Sequence, residues 1–412
     1  MSTFADLGVA EELVVALDAL GIRSPSPVQR LAIPAFLAGK PAVAVARTGS
    51  GKTFAFGVPL VQRLRTIEEG EGAVSVPARP RGVVLTSTRE LVVQTTRVIK
   101  GISHKARQRV RMVSGGELPG ETKRRLAEPF DILVANPPRL AALLKQGLVD
   151  LSDVRIAVID EVDTLLAPGQ RPPVEAVLAA SRQAELWWVS ATLPEPIRHW
   201  LSTRPVPPAV LWSKDAHTAP DTVTTKNIPI KPAQRADAAS DLLTSIGDKA
   251  RGIVFCNRRE TADAAGAALA ERGHAAVIVH GGLLPRERKA ALDRFRDGEG
   301  RVLVTTELAG RGLDLLDLTF VLNWELPERA SDYVHRVGRV GRMGRKGKVF
   351  NLVTDRDRHL IGQVERLAAG GTLDTGEPLR SARTRKTTAQ GMREATSRRK
   401  KAATPGVKRF KD

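Results

Sequence analysis

The chain alternates short apolar runs with longer stretches in which apolar and polar residues recur at helical spacing. Six runs rich in Val, Ile, Leu and Ala lie in the first half, at residues 42–46, 82–86, 110–113, 132–135, 156–159 and 186–189. Such runs are typical of buried parallel strands that are covered on both faces by crossover helices. The first half therefore predicts an α/β domain in which helices flank a parallel sheet.

A second alternation follows a proline-rich passage that contains Pro205, Pro207, Pro208 and Pro220. Five further apolar runs lie at residues 253–255, 276–279, 302–305, 320–322 and 349–353. The second half therefore predicts another α/β domain of the same architecture. The predicted boundaries are residues 1–212 for domain one, 213–224 for an interdomain linker, 225–369 for domain two and 370–412 for a tail.

Length and composition predict a soluble protein of two to four folded domains. The 412 residues are 42% hydrophobic and 26% charged, which is ordinary for globular chains and excludes a fibrous or wholly disordered protein. No apolar run reaches 18 residues, and Asp6, Glu11 and Asp18 interrupt the first 30 residues, so we expect a cytoplasmic protein that does not contact membranes. The single cysteine, Cys256, excludes internal disulfides and a multi-cysteine zinc site.

Basic charge is concentrated at the end of the chain. The formal net charge is +19, and residues 378–412 alone hold 12 Lys and Arg against two acids. Apolar periodicity stops at about Gly370, so this segment cannot bury a core and is predicted to be a disordered basic tail. An excess of this size predicts a polyanionic partner such as nucleic acid.

A glycine-rich segment lies between the first predicted strand and a helical stretch. Its sequence is Ala46-Arg47-Thr48-Gly49-Ser50-Gly51-Lys52-Thr53. Glycines let backbone N–H groups approach phosphates, Lys52 supplies a charge for the β- and γ-phosphate oxygens, and the Thr53 hydroxyl can ligate Mg²⁺. The segment therefore predicts a phosphate-binding loop, although Ala46 stands where the general pattern has a glycine.

Acidic residues follow the apolar strand at residues 156–159, in the sequence Asp160-Glu161-Val162-Asp163. In a P-loop fold this strand end lies beside the nucleotide. We therefore predict that Asp160 holds the magnesium ion and that Glu161 orients or deprotonates the attacking water.

The second half contributes a cluster of cations, His335-Arg336-Val337-Gly338-Arg339-Val340-Gly341-Arg342. Its three arginines are three residues apart, which predicts a fork of fixed cations. Arginine suits bidentate phosphate contact and stabilises charge during phosphoryl transfer. Domain two could therefore complete a catalytic site that domain one begins.

Taken together, these motifs resemble those of the DEAD-box ATP-dependent RNA helicases of superfamily 2, of the bacterial type, over residues 1 to about 368. The family has two tandem RecA-like domains. Further matching segments occur in family order: Ser26-Pro27-Val28-Gln29, Thr88-Arg89-Glu90-Leu91, Gly115-Gly116, Ser190-Ala191-Thr192, Val254-Phe255-Cys256-Asn257, His280-Gly281-Gly282 and Thr305 to Asp314.

The resemblance implies an RNA-dependent ATPase with ATP and Mg²⁺ as cofactors. It implies that Gln29 recognises adenine, with Phe4 as the upstream aromatic, that Asp314 contacts the ribose, and that Arg339 and Arg342 are arginine fingers. It further implies a family activity in which short RNA duplexes are separated locally. We expect a monomer that acts on single-stranded RNA or short duplexes, with ribosomal or degradosome-type complexes as candidate partners.

The resemblance also implies two sets of residues beyond the nucleotide site. Those that would lie along the RNA are Thr88, Arg89, Gly115, Gly116, Arg139, Arg288, Thr305 and Gly310. Those that would couple nucleotide state to RNA binding are Ser190, Thr192 and His335.

The chain departs from the family pattern at several positions. Arg47 replaces a usual Gln, Ser87 a usual Pro, and Glu307 a usual Asp. Pro285 stands where a Gln is usual, and Pro138 lies in an Asn-Pro-Pro-Arg segment where the family has Thr-Pro-Gly-Arg. Because proline has no N–H, Pro138 removes any phosphate contact made by that backbone amide.

Two alternatives remain open at this point. One is a DNA-dependent helicase or repair ATPase on the same fold, against which Gln29 and the Asp160 tetrapeptide argue. The other is an RNA-annealing or ribosome-assembly scaffold that acts mainly through its basic tail. Such a scaffold would keep its biological activity in a Lys52→Ala protein.

Truncation after Gly371 is predicted to weaken RNA binding in a salt-dependent manner. If about half of the 12 cations contact phosphates of single-stranded RNA, the slope of log affinity against log salt should shrink by about 4, at about 0.7 per contact. KM for RNA should rise and kcat should stay constant. RNA affinity of the full and shortened chains across a salt series measures this, and parallel lines would contradict a role for the tail in RNA binding.

Overall fold

The computed structural model of the chain describes residues 2–72, 74–115, 119–214, 222–310, 315, 318–328, 330–341, 345–357 and 360–362. Three predicted site residues, Gly116, Asp314 and Arg342, lie outside the described residues, as does the basic tail. No helix in the described part of the chain combines the length and the apolar character needed to cross a bilayer.

Seven strands of the first half form one parallel sheet. The strands of this half are β1 (Ala42–Val45), β2 (Val76–Pro77), β3 (Gly82–Leu85), β4 (Val110–Val113), β5 (Pro129–Phe130), β6 (Ile132–Ala135), β7 (Ile156–Asp160), β8 (Glu185–Ser190) and β9 (Ala209–Trp212). The sheet order is β4-β6-β3-β7-β8-β1-β9, and β2 and β5 form a separate antiparallel pair.

Helices cover both faces of this sheet. They are α1 (Glu11–Ala19), α2 (Pro27–Leu37), α3 (Lys52–Glu71), α4 (Arg89–Ser103), α5 (Pro119–Leu126), α6 (Pro137–Lys145), α7 (Val162–Leu165), α8 (Arg171–Ala180) and α9 (Glu195–Ser202). Successive residues of a strand point to opposite faces. In β1, Ala42 and Ala44 accordingly join one hydrophobic core, while Val43 and Val45 join the other.

The second half repeats this layered arrangement with six strands. They are β10 (Val223–Pro229), β11 (Gly252–Cys256), β12 (Ala276–Val279), β13 (Val302–Thr306), β14 (Phe320–Asn323) and β15 (Gly347–Val353), in the sheet order β10-β15-β14-β11-β13-β12. Its helices are α10 (Arg235–Ser245), α11 (Arg259–Glu271), α12 (Pro285–Arg296), α13 (Glu307–Gly310) and α14 (Ala330–Val337). The prediction of two parallel sheets flanked by helices is confirmed.

All eleven apolar runs form strands, but the sequence predicted neither β9 nor β10, nor the two-residue strands β2 and β5. Both β9 and β10 are edge strands whose residues are half-buried or exposed; β10 has the mixed sequence VTTKNIP, and β9, although apolar (AVLW), directly follows Pro207 and Pro208. Proline and polar residues around them favoured a linker. Because residues 215–221 lie outside the described part, the domain boundaries stay predictions.

The parallel arrangement brings the candidate residues to one edge of the first sheet. The phosphate-binding loop follows β1, Ser87 and Thr88 follow β3, Asp160 ends β7, and Ser190 ends β8. Carboxyl ends of parallel strands share an edge, and ligands of open α/β sheets bind there. Residues far apart in sequence therefore meet because of strand direction.

Gly252→Ala is predicted to destabilise domain two. A Cβ at Gly252 would lie 2.5 Å from three ring atoms of the buried Phe320 on the neighbouring strand β14, so the ring or the strand must move. We expect the free energy of unfolding to fall by about 1–3 kcal/mol, measured by urea denaturation. The control is Gly70→Ala in α3, where nothing lies within 4 Å and helix propensity favours alanine; equal effects of the two changes would contradict the packing argument.

Candidate active site

The phosphate-binding loop is shaped by two glycines in the left-handed region. Gly49 has φ +81° and Gly51 has φ +91°, and Gly51 caps the start of α3. Lys52 is folded back on the loop, where its Nζ donates to the carbonyls of Ala46 (2.7 Å) and Arg47 (3.0 Å). Burial lowers the pKa of Lys52, while the carboxylates of domain one oppose that shift.

Gln29 connects α2 to the phosphate-binding loop. Its side-chain oxygen accepts from the Ser26 backbone N–H (2.8 Å), and its Nε2 donates to the Gly51 carbonyl (3.1 Å). A Cβ on Gly51 would lie 2.6 Å from that nitrogen. The position therefore requires glycine for two reasons: a side chain would not fit, and its φ lies in the left-handed region. An amide has four hydrogen-bonding positions, so two remain for a base. Phe4 is only 2% exposed and packs in the core, and its contact with adenine stays a prediction.

The acidic segment lies close to Lys52. Asp160 and Glu161 are 5% and 7% exposed. Burial, reinforced by the neighbouring Glu161 carboxylate, raises the pKa of Asp160 to about 7. Glu161 has φ +54°, a conformation that is costly for a residue with a side chain and that is found most often at functional sites. Its backbone N–H donates to Asp160 Oδ1 (2.9 Å), which holds the Asp160 carboxylate against the Glu161 backbone.

Asp163 is the residue on which the predicted coupling residues converge. Its Oδ2 accepts from the Thr192 N–H (3.0 Å) and hydroxyl (2.6 Å), and it lies 3.2 Å from His335 Nε2 of domain two. Ser190 Oγ accepts from the Asp163 N–H (3.2 Å) and donates to the Thr192 carbonyl (2.6 Å). Asp163 had no predicted role of its own, although its place at the end of the tetrapeptide marks it as a candidate.

His335 also contacts the phosphate-binding loop, because its Nδ1 lies 3.4 Å from Thr48 Oγ1. The assignment that satisfies both contacts has the proton on Nε2, which donates to Asp163, and has Nδ1 accept from the Thr48 hydroxyl. A Cβ on Gly338, at the end of α14, would lie 2.7 Å from Thr48 Cβ. Domain two therefore packs directly on the nucleotide loop.

The arginine fork is only partly as predicted. Arg336 points into domain two, where it is 1% exposed and donates to Glu307 (2.7 Å) and Asn257 (2.8 Å). The helix α14 ends at Val337, so the three-residue spacing does not keep Arg339 on the face of Arg336. Arg339 is buried near enough to Lys52 to contribute to the lowering of its pKa.

A basic cleft between the domains contains several of the residues predicted to bind RNA. Its volume is about 370 Å³, and five Lys and Arg side chains outnumber two acidic ones. Arg288 crosses the cleft, with its Nη2 3.0 Å from Glu90 Oε2. The lining residues are Arg89, Glu90, Val93, Gln94, Arg97, Gly115, Leu283, Arg288, Lys289, Leu292, Asp293 and Arg296.

The other predicted RNA residues lie in different environments. Thr88 caps α4 by accepting from the Leu91 N–H (3.3 Å), and Arg139 donates to Thr122 (3.0 Å). Thr305 is 0% exposed and its hydroxyl donates to the Val279 carbonyl (2.7 Å), so the structure does not support it as a surface contact. Because strand residues alternate between faces, the partly exposed Thr306 is the better candidate.

Gly310 is placed by packing, since a Cβ there would lie 2.5 Å from the ring of Phe255. Pro137 and Pro138 occupy the first turn of α6, where backbone N–H groups lack helical partners and proline is tolerated. The departure at Pro138 therefore leaves this helix intact.

The residues present fit a nucleotide with a divalent cation. Among the described side chains, the buried hydroxyls of Ser26 and Ser50 have no hydrogen-bond partner, and both lie at the phosphate-binding loop. Buried hydroxyls normally find partners, and phosphate oxygens would supply them here. A cation beside Asp160 would favour its ionised form, which burial disfavours.

Two family models match the chain. The DEAD/DEAH box helicase model matches residues 26–200, and the helicase conserved C-terminal domain model matches residues 234–344. RNA helicase CrhR of Synechocystis sp. is 33% identical over 88% of this chain and 72% of its own length. ATP-dependent RNA helicase dbp8 of Aspergillus fumigatus is 34% identical over 88% and 71%.

Among solved structures, S. cerevisiae Dbp5 bound to RNA and ADP BeF3 matches with a TM-score of 0.76 and 25% identity, over 92% of this chain and 96% of that one. The family models and the relatives show that the chain belongs to the DEAD-box family of RNA helicases. It is an enzyme, an ATP-dependent RNA helicase built from two RecA-like domains. Because its relatives include a cyanobacterial and a fungal protein, the bacterial subtype stays a prediction.

Gly338→Ala is predicted to impair closure of the catalytic site. The added methyl group would meet Thr48 Cβ at 2.7 Å and push domain two away from the phosphate-binding loop. RNA-stimulated kcat should fall by about tenfold or more, because small displacements of catalytic groups are costly. Steady-state ATPase assays at saturating RNA measure this, with Gly70→Ala as control and thermal unfolding as a check on folding. An unchanged kcat would show that this close contact is absent from the active enzyme.

Proposed function

We propose that this helicase hydrolyses ATP only when its two domains are docked, and that docking separates short RNA duplexes or remodels RNA–protein complexes locally. The observation that carries the proposal is the position of His335, which contacts both Thr48 and Asp163 across the domain boundary. These contacts cannot form when the domains are apart. The nucleotide site and the RNA cleft span the same boundary, so closure would couple them.

In this mechanism the residues of domain one hold the substrate and the water. Backbone N–H groups of residues 48–51 and the Lys52 ammonium group bind phosphates. Glu161 orients or deprotonates the attacking water, and Gln29 recognises adenine. Phe4 and Asp314 would complete the nucleotide pocket.

Domain two supplies cations for the developing charge. Arg339 is placed near Lys52, and we assign it and Arg342 to stabilising the charge of the transferring phosphoryl group. Thr53 and Asp160 would hold Mg²⁺, which neutralises phosphate charge when bound. The burial and raised pKa of Asp160 support a cation at that carboxylate.

RNA would bind in the basic cleft through its sugar-phosphate backbone. Recognition would therefore be largely independent of the RNA sequence. Arg89 and Arg288 lie on opposite walls, and the surplus of cations suits a phosphate backbone. Binding there should be sensitive to salt. Ser190 and Thr192 would link this cleft to the nucleotide through Asp163.

We also propose a monomeric, cytoplasmic enzyme. A single chain supplies both halves of the site, and the one cysteine, Cys256, is buried and forms no disulfide. RNA-rich assemblies of the ribosomal or degradosome type are partners that a net charge of +19 suits. The relatives are named as RNA helicases, which does not favour a DNA-dependent enzyme.

Lys52→Ala and Glu161→Gln should both abolish hydrolysis but differ in ATP affinity. Lys52 binds phosphates, so its loss should weaken ATP binding at least tenfold; Glu161 acts on water, so its amide variant should bind ATP within about twofold of wild type. Equilibrium binding of labelled ATP and single-turnover hydrolysis measure the two effects.

Equal losses of ATP affinity would contradict the role assigned to Glu161. Stimulation of wild-type ATPase by single-stranded RNA and DNA of one sequence provides the companion test. Equal stimulation by the two would favour the DNA-dependent alternative.

A further inference from the structure

The hydroxyl of Ser87, which lies outside the assigned site, contacts Glu161, the residue proposed to act on the attacking water. Ser87 Oγ donates a hydrogen bond to Glu161 Oε2. Ser87 is one of the positions where this chain departs from the DEAD-box pattern, in which proline is usual. Proline has no hydroxyl and cannot make this contact. The interaction is therefore a property of this chain and calls for a role of its own.

The sheet fixes this contact. Strands β3 and β7 are parallel neighbours, and Leu85 pairs with Ile159. Two residues further along each strand lie Ser87 and Glu161, so the register brings them side by side. The backbone next to Ser87 is anchored too, because the Thr86 N–H donates to the Ala135 carbonyl (3.0 Å).

The hydrogen bond engages one carboxylate oxygen and leaves the other for water. Glu161 Oε1 takes part in no hydrogen bond among the residues that the structure describes, whereas Oε2 accepts from Ser87. The backbone of Glu161 is held at φ +54° and by its N–H bond to Asp160. Holding one oxygen of a planar carboxylate on a fixed backbone restricts the directions open to the second.

Ser87 is also placed to respond to RNA. It directly precedes Thr88 and Arg89, the start of α4, and Arg89 lines the basic cleft. One residue further, Glu90 pairs with Arg288 of domain two (3.0 Å). The short segment of residues 87–90 thus contacts the catalytic carboxylate at one end and the opposite wall of the cleft at the other.

We propose that Ser87 is a positioning residue that holds Glu161 in its water-orienting direction and ties that direction to the RNA-engaged position of α4. The proposal rests on the proposed function, in which Glu161 acts on the attacking water. It adds a second route from RNA to the nucleotide, separate from that through Ser190, Thr192 and Asp163.

The test compares Ser87→Thr with Ser87→Val, which have nearly the same shape but differ in the hydroxyl. Ser87→Thr should keep RNA-saturated kcat within about twofold of wild type, and Ser87→Val should lower it about tenfold. KM for ATP, KM for RNA and affinity for a non-hydrolysable ATP analogue should change less than twofold in both. A purely structural defect would shift affinity or thermal stability along with kcat.

A double-mutant cycle with Glu161→Asp identifies the partner. The aspartate carboxylate is one methylene shorter and should lose the Ser87 contact, so adding Ser87→Val to Glu161→Asp should slow hydrolysis less than twofold further. Equal kcat values for the Thr and Val variants, or a full tenfold effect in the Glu161→Asp background, would overturn the proposal. If wild-type ATPase showed no stimulation by RNA, the proposed function would fail instead, and that result is distinguishable because it needs no Ser87 variant.

Discussion

The docked arrangement of this helicase depends on how the buried carboxylate of Asp163 is satisfied. A buried charge is costly unless hydrogen-bond donors surround it. Thr192 supplies two donors from domain one, and His335 supplies a third from domain two. Separating the domains removes one donor from a charge that stays in a largely enclosed site. His335 thus gives the buried Asp163 carboxylate a donor that is available only when the domains are docked, at a position two residues from Glu161.

The fold explains how a small number of contacts can join the nucleotide site to the basic cleft. In domain one, the segments that follow β1, β3, β7 and β8 meet at the carboxyl edge of the parallel sheet. In the sheet order the ends of β7 and β8 lie between the phosphate-binding loop after β1 and the segment after β3, which leads into the basic cleft. Neighbouring strand ends are joined directly by side-chain contacts, Ser87 to Glu161 and Asp163 to Ser190.

Much of this could be predicted from sequence because the signals are local. Apolar runs predict the eleven buried strands, and the spacing of Gly49, Gly51 and Lys52 predicts the phosphate-binding loop. The missed strands β9 and β10 lie at sheet edges, where the prolines before β9 and the polar residues within β10 hide the strand pattern. The contact between Ser87 and Glu161 could not be predicted because it depends on the register between two strands that are 74 residues apart in sequence. Thr305 illustrates the same limit, since a shift of one residue changes the face.

The partial failure of the arginine fork shows how domain two keeps its shape while it acts on domain one. Arg336 is held by Glu307, Asn257 and Asn323 and lies over the Phe255 ring at 5.1 Å. Consecutive helical residues point about 100° apart, at 3.6 residues per turn. Anchoring Arg336 inside the domain therefore directs the adjacent His335 outward, toward Asp163. Arg336, held inside domain two, thereby sets the orientation of the histidine that contacts domain one.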